Sequence, residues 1–197
     1  MSVTVIPFFE LPSDYITAPG AGSVTVPSGA VGVRVRAQAG GGGSGKRSTG
    51  SIDSGPGGGG EFVEKYYALD PTDAGKTISY NNGAGGAGAT TTNGVNGGNT
   101  TVTGATLVNP ISITAHGGSR GAGLTPGAGG TGSTAGDINQ SGSAGTNDGS
   151  SLPYPGWENA GGDGCPDSTV PGYGGGPAPV GSNGNPGANG AVQFSWS

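Results

Sequence analysis

The chain has little of what active-site chemistry draws on. Only 10% of its residues are charged, and His116 is its one histidine. Acid–base catalysis needs paired titratable groups in a dry pocket, and so few candidates point to a non-enzymatic protein with no cofactor and no metal. Cys165 is the one cysteine, which excludes an internal disulfide and any multi-cysteine zinc site. Seven Lys and Arg against a net charge of −5 leave too little positive surface for a phosphate backbone, so nucleic acid is not an expected partner. No stretch reaches the ~18 apolar residues of a membrane span, so no membrane insertion is expected. The opening MSVTVIPFFELPSD has neither the basic start nor the apolar run of a signal peptide, and the chain reads as a soluble product.

What the chain has is glycine, 48 of 197 residues. Gly181, Gly184, Gly187 and Gly190 keep a strict spacing of three. Shorter runs do the same at Gly40/Gly43, Gly57/Gly60, Gly83/Gly86, Gly118/Gly121, Gly127/Gly130 and Gly172/Gly175. Three is the period of the polyproline-II helix, which has no internal hydrogen bonds. Glycine at every third position gives such a helix a bare face, and a neighbouring chain can then pair N–H with C=O. Collagen needs that register without a break and about one-third glycine. Here the register resets every few turns, which favours short helices folded back on one another. Leu, Ile, Val and Phe make up only about 15% of the chain, a level typical of disorder. The low charge, the two Trp, six Tyr and four Phe, and the clustering of apolar residues into alternating segments favour an ordered fold.

Those alternating segments read as strands. Val31, Val33, Val35, Ala37 and Ala39 alternate with Gly32, Arg34, Arg36 and Gln38. Val24 and Val26 precede a Pro27-Ser28-Gly29 turn. Residues 62–69, 77–80 and 111–115 are further candidates, and Val192, Phe194 and Trp196 alternate at the end. Between them lie glycine-rich tracts at 40–60, 82–100, 116–149 and 160–191, with no helical period anywhere. The expected fold is all-β: a small, jelly-roll-like β-sandwich whose long glycine-rich insertions form a polyglycine-II helix bundle, without significant α-helix. A structureless loop of more than about 15 residues is unusual in a compact domain. Bundled polyglycine-II helices also meet the need to pair buried backbone groups. Residues 1–22 stand apart from the domain at 23–197. They are rich in apolar residues, and Pro7, Pro12 and Pro19 block a helix. The stretch is either a first strand packed on its own domain or an extended arm that docks elsewhere through Ile6, Phe8, Phe9, Leu11 and Tyr15.

The order of the segments resembles the glycine-rich domain of bacteriophage tail-fibre and related virion proteins. The matching pieces are SVTVPSGAVGVRVRAQAGGGGSG, GGGGEFVEKYYAL, AGKTISYNNGAGGAG, SITAHGGSRGAG, GGTGSTAGDINQSGSAG and GNPGANGAVQFSW, over roughly 22–197. A β-sandwich followed by polyglycine-II helices is also similar to a glycine-rich module of some animal receptor kinases. Adhesins of some T-even-like phages carry polyglycine-II bundles with receptor-binding loops at the tip. The resemblance implies a non-enzymatic virion protein, a tail-fibre or adhesin component. Its partners would be other virion proteins and a host polysaccharide or outer-membrane protein, in an arrangement compatible with a homotrimer. The alternative it implies is a decoration or head-fibre protein held by the arm. The segment 147–171, NDGSSLPYPGWENAGGDGCPDSTVP, and the arm lie outside the pattern.

Several motifs imitate known sites. Gly40, Gly45 and Lys46 have the spacing of a phosphate-binding loop, but Arg47 stands where a magnesium-holding Ser or Thr belongs and no helix can follow. GAGGAG at 83–88 imitates a dinucleotide fingerprint, but the crossover helix is missing. His116 at a strand end reads as a structural polar residue. Glu158, Asp163 and Asp167 match no calcium loop and read as solvated. The glycosylation-type sequons at Asn99 and Asn139 carry little meaning without secretion. Tyr154, Trp157 and Tyr173 remain. They either cap the ends of the bundle or, on loops, stack on sugar rings and anchor a receptor interface.

Overall fold

A computed structural model describes residues 14–46, 54–145 and 181–197. Its strands are β1 (Asp14–Ile16), β2 (Gly20–Thr25), β3 (Gly32–Gln38), β4 (Phe62–Ala68), β5 (Thr77–Asn82), β6 (Thr100–Gly104), β7 (Ile111–Ala115), β8 (Ile138–Gln140) and β9 (Ala191–Trp196). They form a five-stranded sheet in the order β1-β9-β3-β4-β8 and a four-stranded sheet in the order β2-β5-β6-β7. Every pairing is antiparallel, and the two sheets make a small β-sandwich.

The alternation in β3 decides its faces. Val33, Val35 and Ala37 are fully buried, while Arg34 points outward and Arg36 is half-buried. The inner face meets Val63, Val192, Phe194 and Trp196 of its own sheet and Ile78, Val102, Ile111, Ile113 and Ala115 of the other. Each fully buried Val, Ile or Phe side chain among them contributes roughly 1.5–3 kcal/mol. Phe194 stacks on Trp196 with ring centroids 6.1 Å apart. The Pro27-Ser28-Gly29 turn forms as expected, with Gly29 in the left-handed region at φ +84°.

One end of the sandwich runs directly into the glycine-rich segments. β3, β5, β7 and β8 continue outward as 39–46, 83–89, 116–123 and 141–145, while 54–61, 94–99 and 184–190 run inward to β4, β6 and β9. Residues 40–46 form the axis. The N–H groups of Gly40, Gly43 and Lys46 donate to Gly98, Val95 and Thr92. Those of Gly41 and Ser44 donate to Ala188 and Asn185, and those of Gly42 and Gly45 to Gly58 and Gly55. The carbonyls of Gly40 and Gly43 accept from Gly118 and Gly121, and those of Gly41 and Ser44 from Gly86 and Ala89. The partner changes with a period of three, as the polyproline-II screw requires, so every bond is made between segments and none within one. This is a polyglycine-II bundle.

Glycine is needed because the segments approach within backbone contact. A Cβ on Gly42 would meet the Ser119 carbonyl, one on Gly97 the Gly40 carbonyl, and one on Gly187 the Gly41 carbonyl. The bare Cα therefore sits against a neighbour's carbonyl, where Cα–H···O contacts add a small attraction.

Three strands go beyond the sequence reading. β6 is a Thr-rich run at the end of a glycine tract. β8 lies inside the tract at 116–149, with all three of its residues exposed. β1 lies within the stretch read as an arm. Of that stretch, Asp14–Ile16 pair with Phe194–Val192 and β2 begins at Gly20. Residues 1–13, with Ile6, Phe8, Phe9 and Leu11, are outside the described residues.

Candidate functional site: a polar seam and the free end of the bundle

Where the two-residue period of the sheets gives way to the three-residue period of the bundle, backbone groups lose their ladder partners. Buried side chains supply replacements. Thr100 Oγ1 donates to the Gln38 carbonyl at 2.8 Å and accepts the Gly83 N–H at 2.9 Å. Asn82 Nδ2 donates to the Ala18 and Gly190 carbonyls, both at 3.0 Å. Gln38 Nε2 donates to the Gly60 carbonyl at 3.0 Å.

Glu61 is the charged member of this seam, and its side chain is 2% exposed. Its Oε2 accepts the His116 backbone N–H at 3.0 Å and lies 2.7 Å from His116 Nδ1, while its Oε1 accepts the Ser133 N–H at 2.9 Å. One carboxylate thus ties segments 54–61 and 116–123 to the loop before β8. His116 takes the structural place at a strand end that the sequence suggests. Its partner Glu61, far away in the chain, carried no sequence signal.

A second set of side chains finishes the outside of the bundle. Asn96 Oδ1 accepts the Arg120 N–H and Asn99 Oδ1 accepts the Gly117 N–H, both at 2.9 Å. Asn189 Oδ1 accepts the Gly85 N–H at the same distance. In each case an asparagine of the adjacent segment caps an exposed N–H group. The spacing of Asn93, Asn96 and Asn99 by three was the available signal. The sequon asparagines are therefore engaged in the fold: Asn99 as described, and Asn139 with both backbone groups of Gly136 at 3.0 and 2.9 Å.

The phosphate-loop imitation is resolved by the same geometry. All seven N–H groups from Gly40 to Lys46 are donated to backbone carbonyls, so none is left to cradle an anion. Lys46 Nζ contacts Asn183 Oδ1 at 2.9 Å. In the dinucleotide imitation, Gly83, Gly85 and Gly86 donate to Thr100, Asn189 and Gly41.

The opposite pole of the sandwich is fastened differently. Asp70 caps the 3-10 turn at Pro71–Asp73, accepting from the Thr72 N–H at 2.9 Å and Thr72 Oγ1 at 2.7 Å. Those bonds hold the Asp70 carboxyl below its usual range. Asp73 meets Lys76 Nζ at 2.8 Å and the Val108 N–H at 3.0 Å. Chiefly through Lys76, its carboxyl is also held low, against its own desolvation.

Tyr15 is the one site candidate among the described residues. It lies on β1 opposite Gln193, 52% exposed, and partial burial raises the pKa of its hydroxyl. Tyr154, Trp157 and Tyr173 lie outside the described residues, as do Cys165, Glu158, Asp163 and Asp167. The described chain on either side of them is placed, however. The Gly145 N–H bonds to Gly127, whose own N–H bonds to Pro56, and the Gly184 N–H bonds to Ala89. Lys46, Ser54, Gly145 and Gly181, the described residues that flank 47–53 and 146–180, thus lie toward the end of the bundle away from the sandwich. Among the described residues no group of three His, Cys, Asp or Glu could hold a metal, and no helix is long and apolar enough to cross a membrane.

Residues 17–197 match the model of the glycine-rich domain. The chain belongs to the glycine-rich domain family. The match begins inside the linker between β1 and β2 and leaves the first 16 residues outside it. None of the curated proteins compared with this glycine-rich domain chain matches it.

Proposed function

We propose that this glycine-rich domain protein is a non-enzymatic bacteriophage virion component, a tail-fibre or adhesin part that presents recognition loops to the host cell surface. The observation that carries the reading is the polarity of the molecule. The described residues that flank 47–53 and 146–180 lie at the end of the bundle away from the sandwich, whereas Asp14 lies opposite Phe194, toward the other pole. A backbone cross-linked in three directions is a stiff platform, and recognition residues characteristically sit on loops held by such scaffolds. On this reading Tyr154 and Trp157 stack on envelope polysaccharide or anchor an outer-membrane protein. Tyr173 belongs to the same set.

The test is adsorption to host cells by the intact protein and by a chain carrying Tyr154→Ala and Trp157→Ala. The double variant should lose at least about tenfold in binding, as two interface anchors at more than about 1 kcal/mol each imply. Unchanged adsorption would remove the loop from the reading. A second reading, a decoration or head-fibre protein docked on the virion, is favoured by the apolar stretch Val3–Leu11 ahead of the edge strand β1. A chain lacking residues 1–13 should keep its melting temperature and be lost from particles. Retention on particles would count against docking through the arm.

A further inference from the structure

The two sheets turn different outer faces to solvent. On the five-stranded sheet, pairing sets Arg34 beside Tyr66 and Arg36 beside Glu64, and Arg36 Nε meets Glu64 Oε2 at 2.6 Å. On the four-stranded sheet Ile78, Val102 and Ile113 point into the core, so the residues next to them in the chain point out. Asn81, Thr101 and Thr114 stand in register in one row, and Ser79, Thr103 and Ser112 in the next. β2 lengthens the second row with Ser23 and sets Thr25 opposite Thr77. Apart from Ala21, every outward residue of β2, β5, β6 and β7 thus carries a hydroxyl or an amide, and none is charged or aromatic. All of them are exposed or half-buried, so the face is open to solvent. Strands about 4.8 Å apart and alternate residues about 6.8 Å apart make it a mesh. Each hydroxyl both donates and accepts, and the β-branched threonines hold theirs in few rotamers.

We propose that this face binds a neutral polysaccharide, with Thr101, Thr103, Ser112 and Thr114 as its central hydroxyls. The chemistry of the face selects the occupant. With no charge on the outward side chains of these strands, nothing there pairs with a phosphate, carboxylate or ammonium group, so the ligand is neutral. With no large apolar side chain the face offers nothing to a hydrophobic partner. A second copy is too small a match: four strands of about six residues span roughly 20 Å by 20 Å, or about 400 Å², half the ~800 Å² per partner of a standard interface. A flat crystalline lattice is excluded by twist, because neighbouring strands rotate by about 20° and carry the rows out of register with a plane. A pliant chain follows that twist. A polysaccharide is such a chain, and its own hydroxyls match a mesh in which every group donates and accepts. Without an aromatic ring to stack on, each sugar is held by hydrogen bonds alone, so affinity accumulates along the chain.

The proposal uses only the sheet and stands independently of the virion reading. Its test is native electrophoresis of the intact chain through gels containing dextran, mannan or galactan, with polygalacturonate as the charged control. At least one neutral polymer should retard the chain, and the charged one should not. Thr101→Val with Thr103→Val keeps the shape of both side chains and should weaken the retardation about fivefold or more, as two lost hydrogen bonds imply. Thr103→Lys sets a long charged side chain in the middle of the mesh and should abolish it. Ser195→Ala, on the outer face of the other sheet, should leave it unchanged, and so should Tyr154→Ala with Trp157→Ala. Each variant should melt within about 2 °C of the parent chain. Free passage through all three neutral gels would overturn the proposal, as would retardation that survives both threonine variants. Slowed migration that appears without polymer and grows with protein concentration would also overturn it, because the face would then be meeting a second copy.

Discussion

The sandwich and the bundle share one chain and one set of backbone groups, yet they are held together by opposite means. In the sandwich, fully buried side chains such as Phe194, Ile78 and Val35 exclude water, and the ladders follow from that packing. In the bundle the buried positions have almost no side chains. Ser44 is the one exception from Gly40 to Gly45, and its hydroxyl accepts the Asn185 N–H at 2.7 Å. Cohesion there comes from backbone hydrogen bonds, each worth a net 0.5–1.5 kcal/mol or so, together with dispersion between closely approaching main chains. The lesson is that a buried interior can be built without hydrophobic residues when every segment is both donor and acceptor to several neighbours. The low content of Leu, Ile, Val and Phe then stops being a sign of disorder.

The contrast is open to direct attack. Removing a side chain should damage the sandwich most. Phe194→Ala should cost about 3–5 kcal/mol, read as a lowered midpoint in denaturant, and a loss under 1 kcal/mol would mean that the sandwich core is not what holds the fold. Adding a side chain should damage the bundle. Gly42→Ala forces a methyl group against the Ser119 carbonyl and should cost about 1–3 kcal/mol, whereas Ala84→Ser on the exposed outer face should be neutral. Equal stability of the two variants would show that the bundle is looser than its hydrogen bonds imply.

Acid should act on the sandwich pole rather than on the bundle. The Asp70 and Asp73 carboxyls are held below their ordinary value of 3.8 in the folded chain. A depressed carboxyl stabilises the fold above the unfolded pKa and loses that stabilisation as pH falls through the folded one. Melting temperature should therefore decline below about pH 4, and Asp73→Asn should flatten that decline; an unchanged acid limb would assign it to other groups. The smallest effect belongs to the outer caps. Asn96→Ala leaves the Arg120 N–H to water and should cost about 0.5–1 kcal/mol, with faster exchange of the Arg120 amide as its specific readout.

How much could be read in advance follows from locality. β3 and β9 were legible because their alternation of apolar and polar residues encodes two faces. β6 was hidden because threonine at 100, 101 and 103 mimics the polar tract beside it. β8 exposes every residue and so shows no buried face. The polyglycine-II form was legible from glycine at every third place. The phosphate-loop imitation at Gly40–Lys46 was only a by-product of that spacing. The Glu61–His116 contact was not legible, because it joins residues 55 apart and neither has a local pattern.

The sequence by itself determined the two periods, two for the strands and three for the glycine segments, because each is set by steric preferences within a few residues. It also determined that the interior of the second region must be main chain, since nothing else is present at those positions. Only the tertiary structure decided which segment sits beside which and that 40–46 is the axis. A polyproline-II helix makes no bonds of its own, so it has no neighbour until the whole chain has folded back around it.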